Sequence, residues 1–411
     1  MRSNYRRIGD FIERTNTRNK NGVYEELLGI NINKYFMPSV ANVVGTDLTK
    51  YKVVEPKMFA CNRMHVGRDM RLPIALSDRV KPFLVSPAYD VFEITNPQEL
   101  LHEYLMMWFT RAEFDRNTWF YTDTDVRGKL GWDSFCDMTL PVPSLKKQQE
   151  IVADYNTVQD RIRINEQLNT ALEETAQALY KHWFVDFQFP TSAAQAAQIG
   201  NLSLEGQPYK SSGGAMVYNE ELDMEIPLGW DYLELREVAV FLNKYRKPIA
   251  SHERLNFKGD YPYYGANGVM DFVAEFLLDG KYILLAEDGS VITKERNPVI
   301  HLVNEKFWVN NHAHIINAKS TDNFYFLLFT LKNQDVSEIV TGAVQLKINQ
   351  ENLKSLKVLW PDSDCSKLYS SLVSNLYSSF YNNRLQIKEY KNISEVLLSK
   401  MATVVDDKEL K

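Results

Sequence analysis

The chain has 411 residues, of which 45% are apolar and 24% charged, and its net charge is −6. This is the composition of a folded globular protein, and the length predicts two to four folded units. No apolar run reaches the roughly 20 residues needed to cross a bilayer, and the N-terminus lacks the hydrophobic stretch of a signal peptide. We therefore expect a cytoplasmic protein that has no membrane partner.

The charge is unevenly distributed along the chain. Residues 1–82 hold fifteen Lys and Arg against eight Asp and Glu. A basic surface is therefore compatible with an acidic whole, and nucleic acid is not excluded as a partner. The three cysteines are far apart and show no paired spacing, which predicts reduced thiols that act as small hydrophobes rather than a disulfide framework or a zinc site.

The chain contains an internal repeat with a period of about 220 residues. The matching segments are RRIGDFI (6–12) with REVAVFL (236–242) at an offset of 230, KMFACN (57–62) with KYILLA (281–286) and FLVSPAYDVFEI (83–94) with FWVNNHAHIINA (307–318) at 224, and WDSFCDMTLPVP (132–143) with QENLKSLKVLWP (350–361) at 218. Residue identity is low, but the order of the segments and their apolar pattern agree. The sequence therefore predicts two copies of one module.

Each copy combines short β-type runs with one apolar helix, which predicts an α+β fold. A long helix of a different kind follows each module. Its apolar positions recur in steps of four and three, at Tyr155, Val158, Ile162, Leu168, Leu172 and Leu179 in the first copy and at Val373, Leu376, Phe380, Ile387, Tyr390, Leu397 and Met401 in the second. This narrow seam is typical of helices that pair as a coiled coil.

Both seams are interrupted by asparagine at the same place, Asn165 and Asn383. An antiparallel pair of helices would bring these two residues close together at its centre. Buried seam asparagines can fix the register of such a pair, so we predict that they mark a pseudo-twofold axis. The alternative is that both asparagines face solvent.

These patterns divide the chain into six parts. We expect a first α/β module over residues 1–143, a long helix over 144–184, a linker over 185–226, a second module over 227–361, a second long helix over 362–402, and a charged tail over 403–411. The linker begins with aromatic residues that we expect to pack at the helix end rather than to form a subunit contact. Its remainder is small, polar and flexible in composition.

No recognisable catalytic constellation is present in the sequence. The tetrad of adenine methyltransferases and the glycine-rich loops that cradle phosphates are both missing. His312 and His314 share one face of a probable strand but lack a third metal ligand, and Glu287, Asp288 and Glu295 are more typical of turn carboxylates than of a nuclease magnesium site. We therefore predict no catalytic residue, no metal site and no cofactor on this chain.

Binding residues are better supported than catalytic ones. Arginine can fork onto guanine and lysine can neutralise phosphate, so basic loops suit duplex DNA. Polar side chains on a glycine-rich turn can reach base edges, although solvated charges and buried tyrosines are the plain alternatives. The candidates are Arg63, His65, Arg68 and Arg71 in CNRMHVGRDMR, Lys244, Arg246 and Lys247 in NKYRKP, Tyr263, Tyr264 and Asn267 in YPYYGANGVM, and His312.

In the order of its segments the chain resembles the specificity (S) subunits of type I restriction-modification systems. The first half contributes MHVGRDMRLPIAL, FLVSPAYDVFEI, WDSFCDMTLPVPSLKKQQEIV and HWFVDFQFP; the second contributes GDYPYYGANGVM, NHAHIINA and TGAVQLKINQENLKSLKVLWP. The resemblance covers nearly the whole chain, and no single motif carries it. One departure is that the second helix begins PDSDCSKLYSSLV, without the QQE of the first.

The resemblance implies two α/β target recognition domains, each reading one half of a bipartite DNA site, separated by two long helices that form an antiparallel coiled coil. Two methyltransferase (M) subunits would dock on this frame and bring S-adenosylmethionine, and motor-nuclease (R) subunits would bring ATP and Mg²⁺. The chain itself would catalyse nothing. Two alternatives remain open at this point, a coiled-coil scaffold that binds proteins and a stand-alone nuclease.

Overall fold

The computed structural model of the chain describes residues 4–39, 45–64, 66–122 and 128–404. It separates into two compact units, the first formed by residues 1–167 and 383–411 and the second by residues 168–382. Each unit contains one mixed region of strands and helices and one portion of each long helix. The long helices, predicted as parts of their own, are thus divided between the units. Most of the predicted charged tail lies outside the described residues.

The first unit is an α/β structure around a four-stranded antiparallel sheet. Among its described residues, the strands are β1 (Tyr5–Arg7), β2 (Ile12–Thr15), β3 (Leu28–Ile30), β4 (Phe36–Pro38), β5 (Lys52–Val54), β6 (Phe59–Cys61), β7 (Ile74–Leu76), β8 (Phe83–Val85), β9 (Asp90–Ile94) and β10 (Thr139–Pro141). Its short helices are α1 (Val66–Asp69), α2 (His102–Thr110), α3 (Ala112–Phe120) and α4 (Trp132–Asp137). The sheet has the order β2-β9-β6-β7, and β1 pairs with β10.

Aromatic rings fill the core of the first unit. Phe59 and Phe92 stack on neighbouring strands with their ring centroids 5.1 Å apart, and Phe109 and Phe135 reach them from α2 and α4. All four side chains are fully buried. Helix α2 buries most of its residues, because it lies between the sheet and the first long helix, α5 (Leu145–Tyr180).

The second unit is built around a six-stranded sheet. Its strands are β11 (Met216–Asn219), β12 (Met224–Pro227), β13 (Asp231–Glu234), β14 (Ala239–Phe241), β15 (Lys258–Gly265), β16 (Gly268–Val273), β17 (Leu278–Ala286), β18 (Ile300–Val309), β19 (Ala313–Ala318), β20 (Val340–Thr341), β21 (Lys347–Ile348) and β22 (Lys357–Trp360). Its helices are α6 (Ala193–Ile199), α7 (Leu235–Val238), α8 (Ser251–Leu255), α9 (Phe324–Asn333), α10 (Gln350–Lys354) and the start of the second long helix, α11 (Ser363–Lys400). The sheet order is β14-β19-β17-β18-β15-β16, and β13 pairs with β22.

The same strand pairing occurs in both units. The order β2-β9-β6-β7 of the first matches β14-β19-β17-β18 of the second, and both sets are antiparallel. The pair β1–β10 matches β13–β22, and a long helix follows each of these pairs. The predicted duplication is therefore present in the backbone, and its offsets of 224 for β6 and β9 and 218 for β10 hold in the strand registers.

The structure shifts the sequence alignment of RRIGDFI (6–12) with REVAVFL (236–242) by three residues. Ile12 pairs with Ile94 and Ala239 pairs with Ala318, so the offset for this segment is 227 rather than 230. Ile8 therefore corresponds to Leu235, and both are fully buried. Their N–H groups donate to Met138 and Leu356, which also correspond to each other. Low residue identity had hidden this shift, whereas backbone hydrogen bonding fixes it.

In the first unit the two long helices run antiparallel. Gln159 donates to the Ser394 hydroxyl at 2.8 Å, and Asn165 donates to the Gln386 side chain at 3.1 Å. Residue numbers rise along one helix while they fall along the other, as antiparallel pairing requires. The contacts across this part of the seam include several polar side chains.

The second unit shows the same direction of pairing with different chemistry. The Tyr369 hydroxyl donates to the Ala176 carbonyl at 3.0 Å, and the Tyr377 hydroxyl donates to Glu173 at 3.4 Å. Tyr180 packs against Tyr369 with ring centroids 5.9 Å apart. The predicted antiparallel pairing of the long helices is confirmed within each unit.

The centre of α5 departs from the predicted seam. Leu168, assigned to the seam, is 48% exposed, while Asn165 and Asn169 are 7% and 8% exposed. The alternative that both predicted register residues face solvent is wrong for Asn165. Asn383 is half-buried and lies one helical turn from Gln386, the partner of Asn165. The role of the two asparagines in fixing the register stays a prediction.

The segment that follows α5 is folded rather than flexible. Trp183, Phe184, Phe187 and Phe189 are buried, so the predicted packing of these aromatic residues is confirmed. Beyond them, Ser192 forms a capping box at the start of α6, and Tyr209 stacks on Phe189 with ring centroids 4.6 Å apart. The expectation of a flexible linker is therefore wrong here, because two aromatic rings hold this polar stretch on the core.

Candidate nucleic-acid interface

In the first unit, the two exposed arginines lie on the short helix α1 and just after it. Gly67 packs so closely on Gly128 that an added Cβ would lie 2.6 Å from the Gly128 Cα, so only glycine allows this approach. Arg68, on the same turn, is mostly exposed and pairs with the neighbouring Asp69. Arg71 is also exposed and donates to the Asn33 side chain at 3.3 Å. Both guanidinium groups are accessible to a ligand.

Arg63 is placed differently from these two arginines. Its side chain is 7% exposed, its Nε donates to Asp90 at 2.7 Å, and its Nη1 donates to the Leu130 carbonyl. The guanidinium also lies over the Trp132 ring. We therefore assign Arg63 to the interior of the unit and leave it out of the proposed DNA contacts. His65, predicted with it, lies outside the described residues.

In the second unit, two exposed lysines flank a half-buried arginine on the turn before α8. Lys244 and Lys247 are exposed, and their ammonium groups lie 5.0 Å from the centre of the Tyr245 ring and 5.6 Å from that of Trp308. Arg246 points inward, where it donates to Glu287 and to backbone carbonyls. Only the two lysines of this predicted trio can therefore approach a ligand from solvent.

The hairpin of β15 and β16 presents one of its three candidates to solvent. Tyr263 and Tyr264 are 1% and 7% exposed. The Tyr263 hydroxyl accepts from the Ile249 N–H at 3.0 Å, and the Tyr264 hydroxyl donates to Glu305 at 3.0 Å. Both tyrosines are therefore core residues. Asn267 lies exposed in the turn between the strands, as base contact requires.

Four of the histidines and acids set aside as metal ligands, His312, His314, Glu287 and Asp288, lie in ion pairs and hydrogen bonds. Glu295 is exposed. His312 is half-exposed and its Nδ1 lies 2.8 Å from Asp288. His314 is fully buried, and burial lowers its pKa below the ordinary value. Burial acts to raise the pKa of Glu287, but the hydrogen bond from Arg246 and the nearby positive charges outweigh it, so that pKa is lowered.

No group of three or more His, Cys, Asp or Glu within the described ranges is arranged to hold a metal ion. Cys61 and Cys365 are free and buried, and burial raises the pKa of both thiols. In the same part of the chain, no helix is both long and apolar enough to span a bilayer.

Two acidic residues that the sequence analysis did not single out as partners organise these regions. Asp90 holds Arg63 in the first unit, and Glu287 holds Arg246 in the second. A signal was available, because the offset of 224 aligns Arg63 with Glu287 and Asp90 with His314. Charged or titratable residues at matching strand ends of two copies suggest a shared structural site.

Residues 227–389 match the family model described as Type I restriction modification DNA specificity domain. A candidate type I restriction enzyme specificity subunit of Haemophilus influenzae is 35% identical over 131 residues, which cover 32% of this chain and 33% of that protein. The MjaIX specificity subunit of Methanocaldococcus jannaschii is 25% identical over 283 residues, covering 64% of this chain and 60% of that protein. The chain thus spans between one third and three fifths of the length of these two curated relatives.

Among solved structures, the S subunit of the type I restriction-modification system of M. genitalium is similar in fold. The TM-score is 0.54 at 14% identity, and the match covers 98% of this chain and 96% of that one. The predicted fold class, two pseudo-repeated α/β regions with two long helices, is confirmed. Residues 227–389 thus match the type I restriction modification DNA specificity domain, and the resemblance of the chain to specificity subunits is confirmed.

Proposed function

We propose that this chain is the DNA-recognition subunit of a type I restriction-modification complex. The α/β region of each unit reads one half of a bipartite duplex site, and the paired helices set the spacer between the half-sites. A helix of 36 residues is about 54 Å long at about 1.5 Å per residue, which is more than one turn of duplex DNA at roughly 34 Å. The observation that carries this proposal is the same strand pairing in both units, each followed by a long helix.

The proposed contacts are the exposed candidates alone. Arg68 and Arg71 serve the first unit. Lys244, Lys247, Asn267 and His312 serve the second. The cations set the register through phosphates, arginine can also fork onto guanine, and the amide of Asn267 suits the donor and acceptor pair of adenine.

The proposal assigns the chemistry to other subunits. Two methyltransferase subunits dock on the helices and bring S-adenosylmethionine, and they flip the target adenine out of the duplex, because methylation cannot reach it in the stack. Motor-nuclease subunits bring ATP and Mg²⁺. This chain is non-catalytic and cytoplasmic, and it supplies sequence recognition and spacing.

The experiment compares two double variants of the full chain, assembled with its methyltransferase subunits. Arg68→Ala with Arg71→Ala should weaken or alter recognition in one half-site, and Lys244→Ala with Lys247→Ala in the other. The matched controls are Arg79→Ala and Lys319→Ala, which remove exposed cations at the opposite ends of the sheets. Selection from a randomised duplex library measures base preference at each position. Loss of methylation with sequence preference intact would contradict these assignments.

Salt dependence separates this proposal from a scaffold that binds only proteins. Contact with phosphates predicts that the logarithm of the DNA affinity falls by about 0.9 per neutralised phosphate for each unit of log salt. Each double variant should therefore reduce that slope, whereas the controls should leave it unchanged. A complex that assembles normally but binds DNA without sequence preference would favour the scaffold instead.

A further inference from the structure

Both units place a titratable side chain at the same point of the sheet. In the backbone register, Cys61 lies opposite Asp90 at the end of β6, and Leu285 lies opposite His314 near the end of β17. The offset of 224 relates these two pairings, and it also relates Arg63 to Glu287. The two sites are therefore equivalent positions of the duplicated module.

In the first unit the acid lies on β9 and the base on the segment after β6. The Asp90 carboxylate accepts from Arg63 at 2.6 and 2.7 Å, and Arg14 of β2 approaches it at 3.4 Å. Both guanidinium groups lie over the Trp132 ring, at 5.5 and 5.1 Å from its centre. We call Arg14, Arg63 and Asp90 the Asp90 cluster. It ties two strands to the segment that continues into Arg68 and Arg71.

In the second unit the acid lies on the segment after β17, which is the counterpart of β6. Glu287 accepts a hydrogen bond from Arg246, and Lys347 and His314 lie 3.2 and 3.6 Å from its carboxylate. We call these four residues the Glu287 cluster. It joins the turn that carries Lys244 and Lys247 to the ends of β17 and β19 and to β21.

A hydrogen-bonded amide reinforces the Glu287 cluster. The side-chain oxygen of Asn243 accepts a hydrogen bond from the Ile315 N–H at 2.9 Å. The NH₂ group of Asn243 therefore points toward His314 Nδ1, at 2.8 Å. His314 Nε2 then donates to the Ile348 carbonyl at 2.8 Å. The imidazole is thus neutral with its proton on Nε2, and it links the start of the lysine turn to β21.

The carboxylate of each cluster is paired inside the protein. The side chains of Asp90 and Glu287 are only 12% and 13% exposed, and those of their partners Arg63 and Arg246 are 7% and 17% exposed. The outer partners Arg14 and Lys347 remain about half-exposed. Burying charges costs free energy that apolar residues would not, so such clusters are better explained by the geometry that they impose than by stability. In each unit, the cluster holds in place the segment whose exposed cations are the proposed DNA contacts.

We propose that the Asp90 and Glu287 clusters are positioning devices: each fixes the DNA-contacting segment of its own unit without touching DNA. Base preference in each half-site then depends on one cluster and not on the other. This inference rests on the proposed function, since it assigns to that function residues that lie behind the contact surface.

The test uses Asp90→Asn and Glu287→Gln, which keep shape and remove charge, in the full chain assembled with its methyltransferase subunits. Selection from a randomised duplex library should show that each variant flattens base preference at least tenfold in one half-site, and that the two variants affect different half-sites. Each variant is thus the control for the other. The salt slope of binding should stay at the wild-type value, because no phosphate contact is removed.

Two further variants guard against simple loss of folding. Glu287→Asp keeps the charge and should restore most of the preference that Glu287→Gln loses. Lys347→Gln removes a half-exposed partner of Glu287 and should give a smaller effect in the same half-site. Unchanged preference in both half-sites would overturn the proposal, and so would a salt slope reduced by one phosphate, since that indicates direct contact. A wild-type complex without sequence preference would instead refute the proposed function itself.

Discussion

The two units share a strand order but pack their helices with different chemistry. In the second unit, Tyr369 is fully buried among the rings of Tyr180, Trp183, Phe184 and neighbouring residues. The offset of 218 places Ile151 at the corresponding position of the first unit, where it is half-buried. The backbone topology is therefore compatible with an aromatic and an aliphatic helix interface alike, and the side chains decide how firmly each helix is held.

The charged clusters also occupy equivalent positions in the two units but are built from different side chains. Asp90 on β9 receives its partner from the segment after β6, whereas Glu287 after β17 faces His314 on β19. In both units a carboxylate at this place pairs with an arginine, but the acid lies on β9 in the first unit and after β17 in the second. The duplication thus preserves where an interaction occurs while its chemistry varies, and four changes test how far that holds.

The largest expected effect comes from Tyr369→Ala. Removing a buried aromatic side chain costs roughly 3–5 kcal/mol of unfolding free energy, because the surrounding rings cannot close the cavity. The matched change Ile151→Ala in the first unit should cost less than about 2 kcal/mol, because that side chain is only half-buried. Denaturant unfolding measures both. Equal losses would contradict the contrast between the two interfaces.

The charged cluster of the first unit is tested next by Arg63→Met. The change leaves Arg14, at 3.4 Å, as the ion-pair partner of Asp90. Breaking a buried pair costs roughly 3–5 kcal/mol, so we expect a value near the lower end. Arg68→Ala, on the exposed turn, should change stability by less than about 0.5 kcal/mol. Thermal unfolding of both variants is the measurement. A negligible loss with Arg63→Met, joined to weaker DNA binding, would restore Arg63 as a contact.

The second unit should carry a pH dependence that His314 supplies. Burial lowers the pKa of His314, so the unfolded chain takes up a proton before the folded protein does. The contribution of His314 to the unfolding free energy is therefore fully present above about pH 6.5. It falls as the pH decreases, by at most about 1.4 kcal/mol per pH unit. His314→Gln should flatten the dependence of the unfolding midpoint between pH 7.5 and 5. His102→Gln is the matched change in the first unit, where burial also lowers the histidine pKa, and it should flatten the profile in the same direction. Identical pH profiles of wild type and His314→Gln would contradict this role.

The smallest change in stability is expected from Asn165→Leu combined with Asn383→Leu. Loss of the hydrogen bond to Gln386 and gain of apolar surface nearly cancel, to within about 1 kcal/mol. The predicted effect lies in specificity, since seam asparagines fix the register and the assembly of paired helices. Light scattering should detect altered oligomeric behaviour that the exposed-site control Leu168→Ala lacks. Unchanged assembly would remove the register role.

Much of the fold could be predicted because hydrophobic periodicity and order along the chain are local properties. The long helices, predicted over 144–184 and 362–402, occur as Leu145–Tyr180 with a further π-helical turn and as Ser363–Lys400. The same local logic misplaced Leu168, because apolar spacing does not reveal which face meets a partner. It also misjudged the stretch around Tyr209, whose polar composition concealed one buried ring.

The sequence predicted the candidate DNA-contacting residues only from residue type, as basic or polar side chains in loops. Arg63 and Arg68 are indistinguishable in the sequence, since both are basic residues in one loop, but Asp90 draws the first inward and leaves the second in solvent. Tyr263 and Asn267 differ for a similar reason, because Tyr263 lies on a strand that is paired on both sides, with β16 and β18, while Asn267 lies in the exposed turn. Chemistry suggests which residues bind, whereas placement selects among them.

By itself, the sequence determined the duplication, the pairing tendency of the two long helices and the lack of a recognisable catalytic motif, because each of these depends on residue type and spacing along one chain. Tertiary structure alone decided the register of the first repeated segment, the inward placement of Arg63 and Arg246, and the different position of the acid in the two charged clusters. These features depend on contacts between residues far apart in the chain, where one carboxylate decides whether an arginine faces the core or the solvent.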